Sequence, residues 1–548
     1  SMVNIERIDI LKGPKALLYS GGSGSPAGGL VNLISKLPRP EPSGEVGLKI
    51  GSNQFYQPFF DLNQPINSQV LFRITGEYTQ SESFIDVIET ERFNINPALI
   101  LTYNDTTTLT LQGKVSRWEQ PDYQGLPAVG TVSGDFTIRP ETFIGPSNID
   151  PSRTEFQGVW GKLEHTFSDI WSLSFRARYT QSEFDQKDQL IFGADSLRAD
   201  QPFFPPSTWL LTNSELFQKQ DEISFVANMV AKFSIGPIEN YVLLGVDYSE
   251  INDNRFIEFD MEPVGSIDLA EPVFFVPYRI PGSQINNVFV KNTTQGSYIQ
   301  IQSTLFERVH FIAGVRLSNI NINYENAKPG FDFIAESDTT KLLPRFGGIF
   351  DLDDEFSLFA SYSKGMRGHL FHNFRAIRQP DPELSRHIES GIKFYIADQL
   401  SGQLAIYQID LANTLVTDTT KTLRPFQVGE QRSRGFEADL VWRFSDELSV
   451  LANYAYTNVE FANSKAGITK GTRLPGVPEH SGRFWASYRF QKIPFRGLSI
   501  GAGIYMQSGV PLNWRSLYFF WVMLMATLSQ PMSLQQRFPR FRFQRRSG

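Results

Sequence analysis

The side chains best suited to chemistry are thinly spread along this chain. His369 and His372 stand at i, i+3 in one polar stretch, with His387 further on. Two imidazoles at that spacing could ligate a metal or a haem iron. The chain has no cysteine, which removes thiolate metal sites, disulfides and cysteine nucleophiles. Loop histidines without cysteine or paired carboxylates nearby are ordinarily surface residues, so no metal role is assigned to them. Asp351, Asp353 and Asp354 could surround a cation, but they fall at an expected short turn, and turn chemistry accounts for them. Gly21, Gly22, Gly24, Gly28 and Gly29 line a loop almost bare of side chains. It lacks the Gly-Lys-Ser/Thr of a phosphate-binding loop. A net charge of −7 gives no reason to expect nucleic acid as a partner. What remains is non-covalent recognition, and the 46 phenylalanines suit either a stacking surface or aromatic girdles at a membrane interface.

The elements that would position such residues are strands. From Ser43 onward apolar and polar residues alternate with period two over segments of about ten residues. Val70, Phe72, Ile74, Gly76 and Tyr78 alternate with Leu71, Arg73, Thr75, Glu77 and Thr79. Leu109, Leu111, Gly113 and Val115 alternate with Thr110, Gln112, Lys114 and Ser116. Alternation alone also fits a soluble sandwich. The connections discriminate, because short turns (Asn104–Thr106, Ser168–Ile170, Asp353–Asp354, Ser445–Glu447) take turns with long polar stretches. The long ones are Glu119–Glu155, Glu183–Gln220, Ile251–Thr293, Gly365–Arg386 and Ala412–Arg432. That plan is a transmembrane barrel with its long loops outside the cell. About 19 strands of the length a tilted span needs fit between Glu45 and Gln507. Mean hydropathy of −0.24 speaks against a helical membrane protein.

Ahead of the strands lies Ile5–Pro38, in which apolar segments bracket the glycine-rich loop tightly. Ile5-Glu6-Arg7-Ile8, Leu11-Lys12-Gly13-Pro14, Leu18-Tyr19, Pro26-Ala27-Gly28-Gly29, Val31-Asn32-Leu33-Ile34 and Lys36 follow one another in order. This stretch resembles the end of the plug domain in TonB-dependent outer-membrane receptors, and within them the siderophore-receptor branch. Ser20 departs from the family's usual glycine, and the loop before Gly28 is about three residues long for the pattern. Pro382–Ser385 with Glu389–Lys393, Arg432–Glu437 and Leu474–His480 resemble later signatures of the same family. The resemblance therefore runs from Ile5 to about Val510.

It implies an all-β fold, a large antiparallel barrel of about 22 strands carrying the C-terminal remnant of a plug. Residues 1–42 are read as plug, 43–513 as barrel and 514–548 as an aberrant non-barrel tail. From Trp514 the alternation stops, no Asp or Glu follows Glu479, and Leu517–Leu528 is a continuous apolar run before an arginine-rich end. That segment reads as translation in a shifted frame; an amphipathic or basic membrane-surface segment and a nucleic-acid patch are the other readings. The implied function is uptake of a ferric siderophore, with no covalent chemistry and no cofactor beyond the iron carried in the ligand. The implied partners are that ligand, outer-membrane lipid and a TonB-type energy-coupling protein whose binding segment is expected to precede Ile5; the barrel is expected to be monomeric. A bulky, part-apolar ferric complex suits aromatic walls and guanidinium donors. The resemblance nominates Tyr19, near the plug apex. The long loops offer Trp118, Tyr123, Phe203, Phe204, Trp209, Tyr278 and Tyr324. A passive porin-like channel, a non-functional receptor remnant, and a haem or cobalamin receptor are the alternatives.

Overall fold

The computed structural model describes the chain apart from residues 1, 15–17, 19–20, 128, 132–133, 147, 193–206, 273–275, 329–332, 370–379, 418–424, 428, 465–467, 493, 495, 511–520 and 530–548. Among the described residues a sheet of 21 strands closes into a barrel, with Ser43–Ile50 and Trp521–Ser529 meeting to complete the ring. One of the 21 is the four-residue Gly265–Asp268, which pairs with the end of Thr208–Ile235. The strand pairings that show their register are antiparallel, as in Gln284–Leu305 against Val309–Asn326.

Burial shows which way the alternation faces. Leu111, Val115, Val246, Ile299, Leu317 and Leu342 are exposed on the outside. Thr110, Asn292, Thr294, Gln300, Arg316 and Ser318 are buried on the inside. A sandwich puts its apolar side chains within; here the apolar face surrounds a polar lumen, as lipid requires. Aromatic residues gather beside the short turns. Tyr103, Trp171, Tyr241, Phe306, Tyr395 and Trp442 are all exposed there, where a ring can rest at the headgroup level with its edge in water.

The short turns form as their residues dictate. Asn104 Oδ1 accepts from the Thr106 amide at 3.0 Å, and Ser168 Oγ from Trp171 at 3.2 Å. Asp353 Oδ1 accepts from Glu355 and Phe356 at 2.9 and 2.8 Å, and Ser445 Oγ from Leu448 at 3.1 Å. Each is a side chain closing its own turn, so Asp353 serves the backbone.

Two expectations are corrected. Glu183–Gln220 and Ile251–Thr293 were expected to be loops, yet strands run far into them. Trp171–Phe192, Thr208–Ile235, Ile238–Phe259 and Gln284–Leu305 have 22, 28, 22 and 22 residues, about twice what a membrane span needs. Beyond the bilayer both faces are wet and apolar alternation ends, but the backbone ladder needs no apolar side chain to continue. The segment 514–548, expected outside the barrel, contributes Trp521–Ser529, paired with Ser499–Gln507 from Gln507↔Trp521 to Ser499↔Ser529. An open edge in lipid leaves backbone groups unpaired at several kcal/mol each, and a ladder accepts a continuous apolar run as readily as an alternating one. The remainder of the tail, with Arg537, Arg540, Arg542, Arg545 and Arg546, lies outside the described residues.

Replacing outward Ile299 by arginine should cost about 2–4 kcal/mol of folding free energy in lipid, depending on its depth. Urea titration of the barrel in vesicles measures this, and an unchanged midpoint would contradict the assigned lipid face.

Candidate functional site

The N-terminal stretch folds as a hairpin, Ile5–Lys12 against Gly29–Ser35, with Lys12 opposite Gly29. Gly29 has φ +117°, and a Cβ there would lie 2.1 Å from Leu11 O; only glycine allows this close pairing. Its barrel partners, described next, are polar groups of the lumen-facing set such as Asp61, Glu437 and Asp439, so the hairpin lies in the lumen.

Two lysines hold it from different sides. Lys12 Nζ donates to Glu437 Oε2 at 2.5 Å and to Asp439 Oδ2 at 2.9 Å on Glu430–Arg443. Burial lowers the Lys12 pKa, but the bonds to Glu437 and Asp439 more than offset it and the net direction is upward. Lys36 Nζ donates to Asp61 Oδ2 at 2.7 Å. Arg73 grips the same carboxylate with two bonds, 2.8 and 2.7 Å, and donates to Leu37 O at 2.9 Å. Asn63 closes this side by bonding Arg39 and Glu41 backbone groups. Between them, the Gly13–Pro14 step lies on the wall. Ser363 Oγ donates to Pro14 O at 3.2 Å, and a Cβ on Gly13 would meet the His387 ring at 2.4 Å.

The glycine-rich loop is bound by its backbone. Gly22 O accepts from Asn292 Nδ2 at 2.8 Å and Thr294 Oγ1 at 2.7 Å, while Gly22 N donates to Ser249 Oγ at 3.1 Å. Gly24 pairs across to Arg367, flanked by Ser25 N→Met366 O at 2.9 Å and Gly368 N→Ser23 O at 2.7 Å. Beneath lies an apolar cluster on the lumen wall that includes Val288, Val290, Ile320, Ile322, Tyr324 and Met366. A loop seated this way is a wall-docked lip of the hairpin.

The nominated ligand residues divide. Tyr19, Phe203 and Phe204 lie outside the described residues. Trp118 sits near the long-loop end of Thr107–Gln120 on the same face as buried Thr110, and it is 40% exposed. Arg92 stands opposite it in register and reaches Glu77 at 3.5 Å. Tyr123 stacks on Phe143 at 5.6 Å, donates to Thr142 O at 3.1 Å and borders an open cleft of about 410 Å³ with Ser81, Thr90 and Gln120; burial raises its phenol pKa. Tyr278 donates to Ser214 O at 3.2 Å, and burial with the nearby Glu215 and Asp185 pushes its pKa up. Trp209 and Tyr324 are corrected: both are packed wall residues, 7% and 1% exposed. Trp209 lies among Ile138, Ile144, Ile191, Leu211, Ile267 and Leu269, where folded-back connections cover the strand extensions. Tyr324 sits under the docked loop, edge-on to Phe333.

Of the histidines, His387 is buried against Gly13, His369 bonds two backbone carbonyls and His372 is outside the described residues. Among the described residues no group of three or more His, Cys, Asp or Glu is placed to hold a metal. The anchors Lys12, Glu437, Asp439, Lys36, Asp61 and Arg73 were missed as functional residues. A usable signal existed, since Lys12 and Glu437 belong to two separately recognised signatures.

A closed barrel, apolar outside and polar within, with an N-terminal hairpin pinned inside it, defines an outer-membrane receptor barrel. The chain belongs to the TonB-dependent receptor-like β-barrel family, whose model matches residues 94–521, and its place is the outer membrane of a Gram-negative cell. It is 26% identical over 513 residues to the metal-pseudopaline receptor CntO of Pseudomonas aeruginosa, covering 91% of this chain and 70% of that one. It is 26% identical over 542 residues to the ferrichrome outer membrane transporter/phage receptor of Escherichia coli, covering 91% and 68%. In fold it is similar to the siderophore receptor PiuA from Acinetobacter baumannii, with a TM-score of 0.82, 19% identity, and coverage of 96% of this chain and 80% of that one.

Because the folded Lys12 pKa is raised, its anchoring is complete below the free-lysine value of 10.5 and is lost as pH climbs through the raised one. Planar-bilayer conductance should stay low from neutral pH to about 10 and rise above that. Lys12→Met should leak already at neutral pH, and a silent Lys12→Met would contradict the anchoring role. Asp61→Asn leaves Arg73 buried without its counter-charge and should cost about 3–5 kcal/mol, read as a lowered urea midpoint of the same barrel.

Proposed function

We propose that this chain captures ferric siderophore complexes at the cell surface and passes them through the outer membrane. The observation that carries the reading is the glycine-rich loop. It is held against the lumen wall by bonds with Ser249, Asn292 and Thr294 and by edge pairing to Met366–Gly368, while Lys12 and Lys36 tie its hairpin to Glu430–Arg443 and Tyr56–Pro65 elsewhere on the ring. A hairpin seated there obstructs a passive pore and must shift before a bulky solute passes. The named relatives support the class of cargo, as they are a ferrichrome outer membrane transporter, a metal-pseudopaline receptor and a siderophore receptor. The iron belongs to the ligand and no resident cofactor is needed.

Residues 1–42 act in this reading as the C-terminal part of a plug. A TonB-type protein supplies energy by pulling a segment N-terminal to the hairpin. The barrel works as a monomer with lipid on every side. Ligand contact is assigned first to Trp118, whose ring is exposed in the lumen beside Arg92, and to Tyr19, which the family resemblance nominates. Tyr123 and Tyr278 shape the mouth.

Tryptophan fluorescence should be quenched on titration with a ferric trihydroxamate. Trp118→Ala should weaken binding about tenfold, the ~1–2 kcal/mol of a lost aromatic contact. Ferric catecholate and haem titrations run alongside, and quenching by haem alone would exclude the siderophore reading.

A further inference from the structure

We infer that His369 is a positioning residue that ties the seat of the glycine-rich loop to the extracellular hairpin Leu415–Thr417/Pro425–Gln427. The connection is continuous through described residues. Ser23–Ser25 lies along Met366–Gly368 by the Ser25 N→Met366 O and Gly368 N→Ser23 O bonds, with Gly24 bridged to Arg367. The next residue is His369. Its Nε2 lies 3.0 Å from Asp381 O and 3.1 Å from Asn413 O. Both partners are carbonyl acceptors, so the proton must sit on Nε2, shared between them. Burial lowers the imidazole pKa, which favours the neutral Nε2–H form at neutral pH.

Those two carbonyls are also the seat of the extracellular hairpin. Gln427 Nε2 donates to Asp381 O at 2.7 Å and to Asn413 O at 3.2 Å, and its Oε1 accepts from Asp381 N at 3.3 Å. Asn413, in the left-handed region with φ 62°, donates from Nδ2 to Pro382 O at 3.0 Å. One small knot therefore fixes the ends of Glu383–Ile396 and Leu400–Ala412 and the base of the hairpin. His369 enters that knot from the strand end that the loop touches. When Ser23–Ser25 leaves the wall, Gly368 loses its acceptor and Met366 O its donor. The short run to His369 can then move, and Nε2 leaves both carbonyls. The inner loop and the outer hairpin are thus joined through adjacent residues, Gly368 bonded to the loop and His369 to the carbonyls at the hairpin's base.

Hydrogen exchange on the full chain in lipid tests this without any ligand. Gly24 has φ +102°, and a Cβ there would lie 2.4 Å from Met366 O, so Gly24→Val unseats the loop. Exchange in 415–417 and 425–427 should then rise roughly three- to tenfold, the equivalent of one or two hydrogen bonds. His369→Leu should give a similar rise, and His369→Gln, which keeps a donor, should stay within about twofold of the parent. The Gly24→Val/His369→Leu double variant should exchange no faster than the faster single one. The inference is overturned if Gly24→Val leaves the hairpin unchanged, if the two effects multiply in the double variant, or if His369→Gln behaves as His369→Leu. It is equally overturned if the increase extends into the ladder between Glu430–Arg443 and Leu448–Phe461, which would mean general loosening.

Discussion

Lipid offers no hydrogen bonds. Each amide and carbonyl at membrane depth must find its partner within the protein, and a sheet can arrange this only by closing on itself. The ring that runs from Ser43–Ile50 round to Trp521–Ser529 is the consequence. Closure dictates what each face can be. The outside must be apolar, so Leu111, Val246 and Ile299 stand exposed. The inside, wide and wet, must be filled by polar groups that satisfy one another, such as Arg73 with Asp61 and Arg316 with Asp247.

A polar lumen in turn determines how anything can be held within it. A hairpin docked there gains little from apolar burial, so its hold is made of discrete bonds: two lysines, a cluster of wall amides and hydroxyls, and a short edge pairing. Such contacts are directional, and water can replace them once geometry is lost. An apolar support that includes Ile320, Ile322 and Met366 lies under the loop tip, where the backbone bonds gather. Function then follows from a seat that is specific without being deep.

The barrel was legible because period two and turn chemistry are local properties. Ser168, Asp353 and Ser445 cap the turns their residue types suggest. The strand extensions beyond the membrane were not legible, since Gln186, Lys219 and Asn254 carry no apolar alternation although their backbones stay paired. Trp521–Ser529 was hidden for a related reason: a run apolar on both faces has no periodicity to read. At the site, the glycine loop and its signatures were visible, but Trp209 and Tyr324 could not be told from ligand-facing rings. Their burial depends on segments far away in sequence, Ile138 and Ile144 for one, Val288 and Met366 for the other. Lys12 and Glu437 were each in view, while their meeting across 425 residues is a property of the closed ring alone.

The hairpin's direction has a mechanical consequence. Ile5 lies opposite Ser35 at the open end, and Lys12 opposite Gly29 at the closed end. A load entering through Ile5 while Lys36 stays fixed to Asp61 acts across the ladder, not along it. The bonds then carry force in succession, each breaking before the next is strained, as a zipper opens. Shear along the strands would load them together and demand a far greater pull. A segment seated firmly at rest can therefore be drawn out by a modest force, provided the force arrives at its N-terminal end.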